Sequence, residues 1–250
     1  METAVELHDV QKAFGEKRIY DALDLDVRRG ETMAVIGPSG VGKSVLLKLI
    51  IGLHHVDSGR VVVGGVDVTQ LDERELREVR RKVAMLFQGA ALFDSMSVGE
   101  NVAYGLHEHY RWPDEKVRER VAGCLEAVGL PGIEEMRPND LSGGMKKRVG
   151  LARALAPGPE IILYDEPTTG LDPSNARRIN ELIVSLQQKL GVTSIVITHD
   201  MTSALAVADR VALLRDRKIA LVVDHAQAES SPPPELERFM RGEEVDEQRP

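Results

Sequence analysis

Gly37-Pro38-Ser39-Gly40-Val41-Gly42-Lys43-Ser44 sets three glycines, a lysine and a hydroxyl between an apolar run, residues 32–36, and a segment of helical spacing, residues 45–53. Strand, glycine-rich loop and helix in that order can cradle a phosphate. The glycines let consecutive backbone N–H groups turn inward, and the helix end opening at Val45 adds partial positive charge. Lys43 is long enough to reach the outer phosphates of a nucleoside triphosphate, and the Ser44 hydroxyl suits Mg²⁺. A plain glycine-rich turn has the same composition, so the loop needs support from elsewhere.

Asp165 and Glu166 close the apolar run Ile161-Ile162-Leu163-Tyr164. Asp165 can hold Mg²⁺ beside Ser44 or through water, and Glu166 can orient or deprotonate a water attacking a γ-phosphate. Gln88 and His199 also follow strand-like runs; each can reach water from a strand end, and Gln88 can reach the metal as well. Taken singly, each is no more than the polar end of a strand, and an isolated His is more often a loop residue. Together they make four strand ends that each deliver one phosphate-, metal- or water-directed group. Open α/β sheets hold ligands at their carboxyl edges in this way.

Periodicity supplies the elements that such an edge requires. Alternation over 4–10 and 22–27 with short connections predicts an antiparallel pair, with Phe14-Gly15 at a turn. Asp57-Ser58-Gly59 leads to a strand at 60–63, and Gly64-Gly65 turns it into 66–68. Residues 72–80 have helical spacing, and 82–87 form a strand ending at Gln88. Strand signals then vanish; helical periodicity at 101–106 and 116–128 predicts an inserted helical lobe over residues 97–140.

Leu141-Ser142-Gly143-Gly144-Met145 opens a helix running to about Leu155, and Asp172 caps another over 173–190 with Pro173 at its first position. Strands are expected at 193–198, 210–214 and 219–223, with helical spacing at 204–208. Ser230-Ser231-Pro232-Pro233-Pro234 breaks the pattern; a short helix is expected at 235–241, and 242–250 reads as disordered. The expected boundaries are 1–229 for one domain and 230–250 for a short tail.

A net charge of −8 disfavours a general nucleic-acid-binding role, and Lys146-Lys147-Arg148 reads as a solvated helix face. Cys124 is the only cysteine, which excludes an internal disulfide and a cysteine metal cluster; its apolar helical setting reads as core. No apolar run approaches the roughly 18 residues of a membrane-crossing helix, and residues 1–4 show no basic-then-apolar leader pattern. Any membrane role would come through a partner.

Leu141-Ser142-Gly143-Gly144 narrows the field. With it, residues 4 to about 224 resemble the ATP-binding cassette (ABC) ATPases. On that resemblance residues 37–44 correspond to the Walker A loop and Gln88 to the Q-loop. Leu141, Ser142, Gly143, Gly144 and Met145 correspond to the signature, Asp165 to Walker B and Glu166 to the catalytic glutamate. Asp172 matches the D-loop, His199 the switch histidine, and Phe14 the aromatic that stacks on adenine. The resemblance implies a P-loop α/β core with a parallel sheet, an antiparallel β subdomain and an inserted α-helical lobe. It further implies ATP and Mg²⁺, and a head-to-tail pair of chains with each ATP between one Walker A loop and the other chain's signature.

Met145 stands where a glutamine is usual. With Met85-Leu86-Phe87-Gln88-Gly89-Ala90-Ala91-Leu92-Phe93 and Glu100-Asn101-Val102-Ala103-Tyr104, it makes the chain similar to the ATPases of Mla-type phospholipid transporters. That resemblance implies a second copy of the chain, an integral membrane permease, an MCE lipid-binding protein and a small regulatory subunit as partners, with no nucleic acid. The location implied is the cytoplasmic face of the inner membrane, held through the permease. Phe93, Met96 and Tyr104 become candidate permease contacts on the helical lobe, core packing being the alternative for each. C-terminal extensions in that group can pack on the partner protomer, and this tail is short. Two other readings stay open: a non-transport ABC ATPase, such as a cell-division ATPase regulating cell-wall enzymes, and an importer ATPase for another small substrate. Sustained heptads of the DNA-repair type are absent, and no Asn-Lys-x-Asp element supports a GTPase.

Overall fold

The computed structural model describes residues 2–243. β1 (Thr3–Phe14) and β2 (Lys17–Arg28) form an antiparallel hairpin, and β3 (Thr32–Ile36) runs into the loop before α1 (Lys43–Ile50). β4 (Ser58–Val63) and β5 (Val66–Asp67) turn about Gly64 and Gly65. α2 (Glu73–Lys82) leads to β6 (Val83–Leu86). Then come α3 (Val98–His109), α4 (Asp114–Ala127), a 3-10 turn (Pro138–Asp140) and α5 (Gly143–Leu155). β7 (Ile161–Asp165), α6 (Pro173–Leu190), β8 (Thr193–Thr198), α7 (Met201–Val207), β9 (Arg210–Arg215) and β10 (Lys218–Asp224) complete the frame. α8 (His225–Ser230) and α9 (Pro234–Met240) close the described chain.

Two sheets result. One is antiparallel, in the order β2-β1-β4-β5; the other has the order β10-β9-β3-β8-β7-β6, with β9, β3, β8, β7 and β6 parallel and β10 antiparallel at one edge. Every residue of β3, β7 and β8 is buried, as strands covered on both faces require. Side chains alternate between two cores. Leu163 and Ile195 join the antiparallel sheet, α1 and α2 on one side, while Ile162, Tyr164 and Val196 join the helical lobe on the other.

Register then aligns the strand ends. Ile36 pairs with Thr198, Asp165 with Ile197, and Leu86 with Tyr164. Gly37, Glu166, His199 and Gln88 therefore follow strands whose carboxyl ends share one edge. Side-chain caps start the intervening helices: Asp72 with Glu75 at α2, Ser97 with Glu100 at α3, and Asp172 with Pro173 at α6. Each such cap contributes about 1 kcal/mol.

Several elements differ from expectation; β1 and β2, expected at 4–10 and 22–27, extend to Phe14 and back to Lys17. α1 stops at Ile50 rather than 53, because Gly52 turns left-handed (φ 65) and the Leu53 N–H bonds back to the Lys48 carbonyl. α8 was not expected, since of its six residues only Ala228 is buried and no periodicity marks it. α9 begins at Pro234 and docks on its own chain: Leu236 is fully buried with Ala204, Val211 and Leu213. Of the segment expected to be disordered, Gly242 follows α9 as a turn, and residues 244–250 lie outside the described part. Among the described residues no helix is long and apolar enough to cross a membrane.

Candidate active site

The phosphate loop leaves β3 through backbone that side chains would obstruct. Gly37, Gly40 and Gly42 have φ of 156°, 79° and 116°. A Cβ at Gly37 would meet the Leu214 carbonyl oxygen at 2.3 Å, and one at Gly42 would meet Ile19 Cγ2 at 2.7 Å. Tyr20, fully buried, donates its hydroxyl to the Gly42 carbonyl at 2.6 Å; burial pushes the phenol pKa up, so it stays a donor. Simple alternation would place Tyr20 on the solvent face with Asp24. Ala22, at φ 55, shifts the β1–β2 register and turns it inward.

Lys43 is 7% exposed, and its Nζ donates to the carbonyls of Gly37 (2.6 Å) and Pro38 (2.9 Å), 3.9 Å from Glu166 Oε1. Ser44 Oγ donates to Asp165 Oδ1 at 3.0 Å. Burial raises the Asp165 pKa against the pull of that hydrogen bond, and the neighbouring Glu166 charge adds to the rise. A hydroxyl and a carboxylate side by side are hard oxygen donors that fit Mg²⁺. Among the described residues there is no cluster of three or more His, Cys, Asp or Glu suited to a metal. An ion that takes few protein ligands and completes its shell with water and phosphate oxygens suits such a site.

Glu166 sits at φ 47, a left-handed conformation that costs of order 1 kcal/mol or more for a non-glycine residue and gathers at functional sites. Its N–H donates to the Ile197 carbonyl at 3.0 Å. Its carboxylate accepts from Thr169 Oγ1 at 3.0 Å and from Thr198 Oγ1 at 3.4 Å, and lies 2.9 Å from His199 Nδ1. The imidazole is half exposed, so Glu166 forms a buried post with one solvent-facing partner. Gln88 is exposed on the turn after β6 and joins none of these bonds among the described residues.

The signature residues stand apart from this cluster. Ser142 caps α5 by accepting from the Met145 N–H at 3.3 Å, and Ser142 and Gly143 are exposed. Gly144 is buried: a Cβ there would meet Asn175 Oδ1 at 2.9 Å. Asn175 also donates its N–H (3.0 Å) and Nδ2 (2.5 Å) to Asp172, whose carboxyl those bonds hold below the usual range. Leu141 is buried in the lobe-side core and Met145 packs against it, so these two anchor the motif. Phe14 is 44% exposed at the end of β1, edge-on to His54 with ring centroids 5.2 Å apart and Lys12 Nζ 5.1 Å from its centre.

The reading of Lys146, Lys147 and Arg148 as a solvated face is wrong. Successive helical residues are about 100° apart, so three in a row cannot share one face. Lys147 is buried and donates to the Glu166 carbonyl at 3.1 Å, and Arg148 donates to the carbonyls of Val128 and Gly129. Cys124 is core, as expected.

Residues 20–169 match the family described as "ABC transporter". The chain belongs to this family. It is 41% identical, over 96% of its own length and 90% of the relative's, to the intermembrane phospholipid transport system ATP-binding protein MlaF of Haemophilus influenzae. It is also 48% identical, over 88% of its length and 65% of the relative's, to the methionine import ATP-binding protein MetN 2 of Rhodococcus jostii. The dimeric post-hydrolysis state of the cassette MJ0796 bound to ADP and Pi matches with a TM-score of 0.81 at 34% identity, covering 88% of this chain and 98% of that one. The expected α/β ATPase architecture therefore holds, and the cassette is an ATPase. The two sequence relatives are named for different cargoes, so membership alone leaves the cargo undecided.

Proposed function

We propose that the cassette powers a transporter of phospholipid or another lipid, as a head-to-tail pair bound to an integral permease with an MCE lipid-binding protein and a small regulatory subunit. It would sit on the cytoplasmic face of the inner membrane. The observation that carries this reading is the kinship with MlaF over nearly the whole of both chains, to which Met145 in the signature adds support. On this reading residues 1–229 act as one ATPase domain with 97–140 as the lobe that meets the permease, and 230–250 are a tail.

The residues take their roles as follows. Gly37, Pro38, Ser39, Gly40, Val41 and Gly42, with the α1 start at Lys43, Ser44 and Val45, wrap the phosphates in backbone N–H groups. Lys43 exchanges the carbonyls of its own loop for the β- and γ-phosphates. Ser44 and Asp165, joined by Gln88, would hold Mg²⁺, which neutralises charge on the phosphate oxygens when bound. Glu166, held by Thr169 and His199, takes the proton of the attacking water. Phe14 stacks on adenine. The second chain's Ser142, Gly143 and Gly144, anchored by Leu141 and Met145 and braced by Asp172, complete the γ-phosphate site.

For the permease, Phe93 and Tyr104 form an exposed pair with ring centroids 4.8 Å apart. Met96 and Tyr104 line the groove beside them. Fully buried Asn101 holds this loop through the Phe93 N–H and the carbonyls of Phe93, Met96 and Ser97. A second reading, an importer ATPase for a small substrate, is favoured by the 48% identity to MetN 2. Purification of the tagged chain from its own solubilised membranes separates the two. Recovery with a multi-span permease and an MCE protein is expected; recovery with a permease and no lipid-binding protein, or with ribosomes, contradicts the lipid reading.

A further inference from the structure

Lys147 lies on α5, five residues beyond Ser142, and is 5% exposed. Lysine is almost never this buried unless it is paired. Its Nζ donates to the Glu166 carbonyl at 3.1 Å, and the carboxylates of Asp165 and Glu166 offset the burial that lowers its pKa. The same carbonyl accepts from the Thr169 N–H at 3.3 Å, and the Glu166 N–H is tied to Ile197 at 3.0 Å. Glu166, at φ 47, is therefore held on three sides: by β8 through its N–H, and by its own turn and by α5 through its carbonyl.

We propose that Lys147 is a positioning residue for ATP hydrolysis: by holding the Glu166 carbonyl it fixes the left-handed backbone from which the Glu166 carboxylate is aimed, and it ties that carboxylate to the helix that begins at Ser142. This rests on Glu166 as the water-directed group. In a head-to-tail pair, Ser142 of one chain faces one nucleotide and Glu166 of the same chain faces the other, so Lys147 lies between the two sites. Lys147→Met keeps the apolar stem and removes the donor; Lys147→Gln keeps an N–H donor.

The test measures kcat, KM, ATP affinity and melting temperature for K147M and K147Q, alone and combined with E166Q. Expected is a fall in kcat of about tenfold or more for K147M with KM and ATP affinity within about twofold, most of the rate retained in K147Q, and no further loss when K147M is added to E166Q. The proposal is overturned if K147M keeps its rate, if folded K147M and K147Q lose it equally, or if K147M slows E166Q by the same factor as the parent. Should K147M not fold, Lys147→Leu takes its place as the variant without a donor: a kcat lowered at unchanged KM with no added loss in E166Q supports the proposal, and an unchanged kcat, a raised KM or an additive loss overturns it. Normal turnover in E166Q sinks the role of Glu166 and this inference with it; a normal K147M beside an inactive E166Q sinks this inference alone.

Discussion

At the carboxyl edge of the six-stranded sheet, Lys43, Ser44, Asp165, Glu166 and His199 are bonded to one another or to backbone, and all but Ser44 and His199 are buried. At the start of α5 the arrangement is reversed. Ser142 satisfies one N–H of its own helix, Gly143 lies open beside it, and the packing of the motif goes to Leu141 and Gly144 beneath. The first region can bind phosphate with groups that one chain supplies. The second has an anchored base and an exposed tip of helix N–H groups, which suits a ligand delivered from outside. On the proposed reading the contrast separates a half-site that does chemistry from one that closes over it, and variants in each should fail differently.

Glu166→Gln should have the largest effect, lowering turnover by roughly 10²–10⁴-fold, the range of a lost general base. ATP should still bind and stay trapped unhydrolysed in a long-lived dimer, read by retained labelled ATP; ordinary turnover would remove Glu166 from its role. Lys43→Ala comes next. Loss of a charged donor worth about 1.5–3 kcal/mol should weaken ATP binding roughly 10–100-fold, measured by titration calorimetry. Unchanged affinity would empty the cradle of its cation.

In the second region, Gly144→Ala forces a Cβ against Asn175 Oδ1. It should leave ATP affinity of the single chain unchanged while weakening ATP-driven pairing of the E166Q protein by about tenfold, the equivalent of one lost hydrogen-bonded contact, as seen by sedimentation. A fall in monomer affinity would mean that α5 serves its own chain's nucleotide. The smallest effect is expected from Tyr20→Phe. It removes the hydroxyl donated to the Gly42 carbonyl, which keeps the Val45 and Leu46 N–H groups, and should cost about 1 kcal/mol, a melting shift of roughly 2–4 °C; an unmoved melting temperature would contradict that anchoring role.

The first region was the more legible in the sequence, for physical reasons. Parallel strands buried on both faces read as apolar runs, so 161–164 and 195–197 announce themselves, and the polar residue that ends each one marks the sheet edge. Glycines at left-handed positions mark the loop. What escaped depends on parity and direction. The bulge at Ala22 reverses the face on which Tyr20 falls, and composition could not say which of three adjacent charges on α5 turns inward. Helical angle could have said that they do not all point outward. For the second region the sequence exposed the cap, Ser142, but not its brace, because the Asn175 contact joins helices 31 positions apart.

Mixing two inactive chains tests the division of the site most directly. Lys43→Ala damages the phosphate loop and Ser142→Arg blocks the helix tip. In a mixed pair the S142R chain supplies an intact Lys43 and the K43A chain an intact Ser142, so one composite site is whole. Equal amounts should recover up to about a quarter of the wild-type ATP turnover, from half the pairs being mixed and one of their two sites being complete. Turnover no greater than the sum of the two variants alone would contradict a site shared between chains.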